Sequence, residues 1–200
     1  MAGVTILAPL PRLPRAQGEN VATGKFHDIA QCTNFFQQAI LRTLHYWQEN
    51  EAVQQIDVSL LDRERETILN IISRGLEFDA AWTSLKPLLI AFAPYMERRG
   101  HWAAWRDLLE KSLGAAQQMG DSDGEITLTA LLARLSQRQS RGPDVVRFYA
   151  RVMRLAKQVG NRYEEARACS NLGYYYIDGG HWWRSEVLCC HALAILRVRK

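Results

Sequence analysis

Apolar residues recur at steps of three and four along almost the whole chain from about Lys25 onward. This spacing places apolar side chains on one side of a helix, and no segment shows the alternation of a half-buried strand. The pattern is clearest in "FFQQAILRTLHYW", "ETILNIISRGL", "LKPLLIAFAPYM", "WRDLLEKSLGAA", "LTALLARL", "VVRFYARVMRLA" and "EVLCCHALAIL". The sequence therefore predicts an all-α protein with about eight helices.

Glycines divide the second half of the chain at intervals close to 20 residues, which is the length of one helix and one turn. They stand at Gly100, Gly120, Gly142, Gly160 and Gly180. Glycine is favoured just beyond a helix C-terminus because it adopts the left-handed conformation without a Cβ clash. Two such helices make a repeat of about 40 residues, the period expected of a helical repeat protein.

Further features support this period. Ser122 and Glu125 have the spacing of a capping box at a helix start. A large apolar residue followed by a small one recurs every 40 residues, at Phe92-Ala93, Leu132-Ala133 and Leu172-Gly173. The middle repeat is expected to deviate by about two residues at its Gly142-Pro143 turn.

The predicted organisation is an extended or disordered segment over 1–27, a divergent helical pair over 28–78, and one continuous array over 79–200 with repeats at about 84–122, 123–160 and 161–198.

Composition narrows the class of protein. Two hundred residues, of which 48% are hydrophobic, can bury a full core, and a net charge of +4 permits nucleic-acid binding without requiring it. The four cysteines lack the spacing of a disulfide framework, and "MAGVTILAPLPRLPR" has too short an apolar run for an export signal. No stretch approaches the roughly 20 apolar residues of a membrane span. We expect a cytoplasmic protein without membrane contact.

One segment imitates a phosphate-binding loop but departs from it twice. In "GENVATGKF", five residues separate Gly18 from Gly24 where the motif has four. Phe26 stands where a Ser or Thr would reach magnesium. We therefore do not predict nucleotide binding at this segment.

Histidine and cysteine residues also lack the partners that chemistry requires. His101 and His181 each follow a turn glycine and lie two repeats apart, so they are expected to begin helices. Cys189-Cys190-His191 are consecutive helical residues, which point about 100° apart and cannot converge on one tetrahedral ion. No nucleophile, base and orienting group occur together. The sequence predicts no enzyme activity, no cofactor and no metal site.

The last unit, "ARACSNLGYYYIDGGHWWRSEVLCCHALAI", resembles a tetratricopeptide (TPR) repeat. With Ala166 as position 1, the family pattern is matched by Leu172-Gly173 at 7 and 8, Tyr176 at 11, Gly180 at 15, Trp182 at 17, Ser185 at 20 and Ala192 at 27. Tyr176 and Trp182 are expected to pack in the core. The resemblance implies a right-handed α-solenoid of antiparallel helix pairs, whose concave surface binds a partner.

A narrower resemblance covers the preceding units. The stretch from "LLDRERETILNIISRGL" to "WRDLLEKSL" looks like the start of the TPR array that follows the ATPase core in bacterial signal-transduction ATPases with numerous domains (STAND type). Leu61, Glu64 and Asn70 approximate a segment of that family. The resemblance implies a sensor fragment or subunit of such an ATPase, without the ATPase core, as one alternative function.

The TPR resemblance also implies a partner-binding groove along the first helices of the repeats. Its residues are Arg167, Ser170, Asn171, Tyr174, Ile177 and Asp178, then Thr127, Ala130, Arg134, Gln137 and Arg138, then Ile90, Pro94 and Glu97. An Asn at the position of Asn171 commonly holds a bound peptide's backbone in this family. The leading hypothesis is a non-enzymatic interaction module or adaptor for a protein or peptide, with regulation in a signalling or defence complex as one setting.

Two other surfaces carry hypotheses of their own. Between Arg134 and Arg167 there are nine Lys and Arg against three acids. A stripe of Arg147, Arg151, Arg154 and Lys157 recurs there at helical spacing, which favours nucleic-acid binding as a second alternative.

The C-terminal stretch "EVLCCHALAILRVRK" is strongly apolar where a solenoid normally ends in a polar helix. We expect it to be covered by self-association or by a partner, leaving Leu188 and Ile195 shielded.

Overall fold

The computed structural model describes residues 29–197, and every regular element in that range is helical. This confirms the predicted all-α class. The α-helices are α1 Ile29–Glu49, α2 Glu51–Gln54, α3 Val58–Gly75, α4 Trp82–Arg99, α5 Trp102–Gln118, α6 Ser122–Arg138, α7 Gly142–Gln158, α8 Arg162–Asp178 and α9 Trp182–Arg197, with a 3-10 helix at Asp79–Ala81. Within that range there are nine rather than about eight, because short α2 interrupts the predicted N-terminal pair. The segment expected to be extended or disordered over 1–27 lies outside the described residues.

By contact, the chain forms two compact units, Met1–Phe36 and Gln37–Lys200. In the first, the described residues are the start of α1, where Ile29, Phe35 and Phe36 are exposed. The second contains the rest of α1 and all the other helices. The groove and the C-terminal surface described below both lie within this second unit.

From α4 onward the helices keep a regular period. Helices α4, α6 and α8 begin at residues 82, 122 and 162, and α5, α7 and α9 begin at 102, 142 and 182. A residue with left-handed backbone stands two positions before five of these starts: Gly100 (φ 78°), Gly120 (67°), Ser140 (56°), Gly160 (72°) and Gly180 (71°). The 20-residue interval is therefore strict from the start of α4 to the start of α9.

The predicted turn at Gly142 is wrong, because Ser140 takes the left-handed position and Gly142 begins α7. The expected two-residue deviation of the middle repeat is absent. Gly142 is explained instead by a close approach. A Cβ at this residue would lie 2.5 Å from the Tyr175 hydroxyl oxygen of α8, so a side chain would push Tyr175 away.

The start of α6 also differs from the expected capping box. The N-cap is Asp121, whose Oδ1 accepts a hydrogen bond from the Gly124 backbone N–H at 2.9 Å. Its Oδ2 accepts from Trp82 Nε1 and Lys86 Nζ of α4, both at 2.7 Å. A carboxylate can satisfy all three donors, whereas the hydroxyl of Ser122, already inside the helix, cannot. Asn161 caps α8 at the equivalent position, accepting from the Glu164 N–H at 3.1 Å.

The helices from α4 onward pack in chain order. Each helix packs on the next one in the chain, and α4–α6 and α6–α8 are additional packed pairs. The core is a nearly continuous cluster in which Phe92, Tyr95, Trp105 and Tyr149 are fully enclosed. Because α6 packs on both α4 and α8, side chains on the shared side of these three helices form one surface.

The N-terminus of α9 is more exposed than predicted. Trp182 was expected in the core, yet it is 67% exposed. Its counterpart Trp102 is half-buried and donates from Nε1 to the Glu97 carbonyl at 3.1 Å. Among the described residues α9 packs mainly on α8, which leaves the ring of Trp182 without a neighbouring element. Tyr176 is half-buried against the core.

Candidate partner-binding groove

Helices α4, α6 and α8 border an open cavity of about 630 Å³. It is lined by Pro94, Glu97 and Arg98 of α4, by Arg134, Gln137 and Arg138 of α6, by Tyr149 of α7, and by Asn171 and Tyr174 of α8. Seven of these residues belong to the groove implied by the TPR resemblance. The structure therefore brings residues about 80 positions apart in the chain to one surface.

The anionic residue of the cavity is Glu97, whose side chain is only 5% exposed. It accepts from Arg134 Nη2 at 2.6 Å and from Arg138 Nε at 3.3 Å. A buried carboxylate requires such partners, because an uncompensated charge in this position is strongly destabilising. The two ion pairs join α4 to α6 and fix both guanidinium groups at the cavity wall.

Positive charge exceeds negative charge along the lining, since three arginines line the cavity together with a single acidic residue, Glu97. Arg98 is exposed and has no ion-pair partner among the described residues, and the Arg138 side chain is 50% exposed. The Asn171 side chain makes no hydrogen bond within residues 29–197, so its amide can both donate and accept. Tyr174 is exposed and offers an aromatic surface. The cavity can thus receive an anion and an adjoining peptide group.

Tyr149 and Arg98 were missed by the sequence analysis. Tyr149 occupies the α7 position equivalent to buried Leu109 of α5, so its spacing indicates only core. Burial raises the pKa of Tyr149 to about 12, which keeps the phenol protonated at the cavity wall. Arg98 follows Glu97 directly at a helix end, where a charged residue is common, and only the structure shows that it lines the cavity.

Other predicted groove residues lie outside this cavity. Arg167 is paired with Glu164 at 2.9 Å, and Ser170 is exposed beside it on α8. Asp178 lines a second cavity of about 560 Å³, which shares Gln137 with the first. The remaining members differ in burial: Ala130 is buried, Thr127 is half-buried, and Ile90 and Ile177 are partly exposed.

The basic stripe on α7 is partly neutralised within the protein. Arg147 pairs with Asp144 at 2.8 Å, and Arg151 pairs with Glu125 at 2.5 Å. Burial alone would raise the pKa of Glu125, but hydrogen bonds from Arg151 and Gln117 outweigh it and the pKa is lowered. The other two residues, Arg154 and Lys157, are exposed and make no ion pair within the described range. Two of the four cations therefore have acidic partners already.

His101 and Cys169 each contact a side chain of a neighbouring helix. His101 Nε2 accepts from Arg65 Nη1 of α3 at 2.9 Å, and burial together with the Arg65 charge lowers its pKa. Cys169 is enclosed with its Sγ 3.1 Å from Met153 Sδ, and burial raises its pKa to about 11. Within residues 29–197, no three His, Cys, Asp or Glu side chains are placed to hold a metal ion. None of the helices in that range combines the length and apolarity needed to cross a membrane.

Comparison with known proteins adds no relative, because no protein-family model, curated protein or solved structure matches the chain. The TPR and STAND-type resemblances therefore stay predictions from the sequence. What the groove can bind has to be argued from its own side chains and their surroundings.

Proposed function

We propose that this chain is a non-enzymatic interaction module, a right-handed α-solenoid of TPR type that binds an acidic segment of a protein partner on its concave surface. The observation that carries the proposal is the cavity lined by Arg98, Arg134, Arg138 and Asn171, in which the only acidic side chain is the buried Glu97. The 40-residue period of helix pairs supports the solenoid part, since stacked pairs of this kind leave an extended surface suited to binding.

The chemistry of the lining favours an anionic peptide. Guanidinium groups bind carboxylates through two parallel hydrogen bonds, and Arg98 and Arg138 are accessible for this. The free amide of Asn171 suits a peptide backbone, and exposed Tyr174 suits an apolar side chain next to the acid. The partner class that follows is an extended segment with one or more acidic residues near an apolar one.

The first testable prediction concerns peptide selection. We expect the full chain to enrich acidic sequences from a displayed library of random peptides. The variant Arg98→Ala/Asn171→Ala should bind the selected peptides at least about tenfold more weakly, because it removes a charged and a neutral hydrogen-bonding group that together contribute more than about 1.4 kcal/mol. Neither side chain forms an ion pair or hydrogen bond within residues 29–197, so the fold should persist.

The matched control is Arg154→Ala, which removes an equally unpaired arginine from the basic stripe of α7. It should bind the selected peptides as the wild type does. Selection of peptides without acidic residues would refute the proposed partner class. If the groove variant binds the peptides as tightly as the wild type, or if Arg154→Ala loses binding, the binding site is not the groove. Either result would favour the basic stripe as the site instead.

A further inference from the structure

Helix α9 exposes large apolar side chains. Only Ser185 and Ala192 of its residues are buried, while Leu188 and Ile195 are half-buried against neighbouring clusters. The exposed residues include Trp182, Trp183 at 73%, Val187, Leu193 at 51% and Leu196 at 56%. Exposed apolar residues concentrated on one helix indicate an interaction surface.

The repeat register shows what kind of surface this is. Leu193 and Leu196 correspond to Leu113 and Ala116 of α5, which are buried with 8% and 0% exposure. Leu196 also corresponds to Ala156 of α7, which is fully enclosed. The positions of Leu193 and Leu196 are therefore enclosed in α5, and that of Leu196 also in α7. On α9 the described residues leave both leucines exposed.

The charges on α9 indicate its occupant. Glu186, Cys190, Leu193 and Arg197 follow one another at steps of four, three and four, so they share one face of the helix, named here the α9 face. All four are exposed, and neither Glu186 nor Arg197 has an ion-pair partner in the described part of the chain. The two charges are eleven positions, or about 16 Å of helix, apart, which is too far for them to pair with each other.

We propose that the α9 face binds a second copy of this chain, with the two α9 helices antiparallel about a two-fold axis. In that arrangement Glu186 lies opposite Arg197 of the second copy, and Cys190 lies opposite Leu193 of the second copy. The two-fold symmetry forms each contact twice, giving two ion pairs that flank an apolar centre. The face is thus complementary to itself in both charge and apolarity, which selects a copy of the chain over an unrelated helix.

The second testable prediction is a charge-reversal series measured by sedimentation velocity on the full chain over a range of concentrations. The wild type should be a monomer when dilute and a dimer at high concentration. Glu186→Arg and Arg197→Glu should each raise the dimer dissociation constant about tenfold or more, because each places like charges together twice. The double variant Glu186→Arg/Arg197→Glu should return to within about threefold of the wild type, since it restores both pairs.

Further variants distinguish a specific dimer through the α9 face from nonspecific association. Leu193→Glu should remove the dimer, whereas Val58→Glu, a similar change at a partly exposed apolar residue of α3, should leave it intact. A short bismaleimide should link the wild-type chains through Cys190, and Cys190→Ser should lose the link. A chain that stays monomeric at the highest concentration would overturn the proposal. So would a dimer that ignores Leu193→Glu or that the double reversal fails to restore. None of these variants changes the groove, so the outcome is independent of the proposed function.

Discussion

At the scale of single residues, the junctions between helices depend on a few polar side chains with several partners each. Asp121 accepts three hydrogen bonds and joins the start of α6 to α4. Arg106, 8% exposed, donates to Ser136 at 2.9 Å and to Gln139 at 2.7 Å, joining α5 to the end of α6. Such side chains hold helix pairs in register, so their removal should cost more than a surface contact would.

The third prediction tests Asp121. Asp121→Ala should lower the free energy of unfolding by about 2–3 kcal/mol, because a helix cap and two interhelical hydrogen bonds are lost together. Urea unfolding followed by circular dichroism measures this. Ser122→Ala is the matched control and should change stability by less than about 0.5 kcal/mol, since Ser122 is exposed and does not cap the helix. A larger loss of stability in Ser122→Ala than in Asp121→Ala would show that Ser122 caps the helix, as the sequence suggested.

At the scale of elements, the apolar period predicted the helices well, because a 3.6-residue pattern survives individual substitutions. Turn positions were harder to predict. Four of the five turns between α4 and α9 have a glycine in the left-handed position, but the turn before α7 has Ser140. Only the backbone angle of Ser140 shows that a non-glycine residue takes this position. Short α2 was missed, since four residues carry too little pattern. The sequence predicted the three helices, α4, α6 and α8, that line the cavity. It did not predict Tyr149 as a lining residue, because an aromatic residue at that position of α7 indicates only a core position.

The fourth prediction tests the turn before α7. Ser140→Gly should stabilise the protein by about 0.5–1 kcal/mol, because relief of the left-handed strain outweighs the added freedom of the unfolded chain. The reverse change at the equivalent turn, Gly160→Ala, should destabilise it by about 1–2 kcal/mol. Both are measured as free energies of unfolding in urea. Destabilisation by Ser140→Gly would show that the serine side chain contributes something other than strain to this turn.

At the scale of the whole molecule, the described helices carry two surfaces that differ in charge and apolarity. The α4, α6 and α8 groove carries excess positive charge, while α9 carries an apolar face with opposite charges on it. The two surfaces are formed by different residues, so the proposed peptide binding and the proposed self-association can be altered separately. A dimer through α9 would present two grooves on one particle, which raises the effective affinity for a partner that carries two acidic segments.

The fifth prediction concerns the pH dependence of folding at the junction of α3, α4 and α5. Burial and the charge of Arg65 lower the pKa of His101 below its usual 6.5, so the folded protein resists a proton that the unfolded chain accepts. The stability that neutral His101 contributes is complete above pH 6.5 and is lost as the pH falls through the folded-state pKa. The loss of urea resistance between pH 7.5 and 5.5 should therefore be smaller in His101→Gln, and smaller also in Arg65→Met, where one cause of the shift is removed. An identical pH dependence in the wild type and His101→Gln would show that this imidazole does not couple protonation to folding.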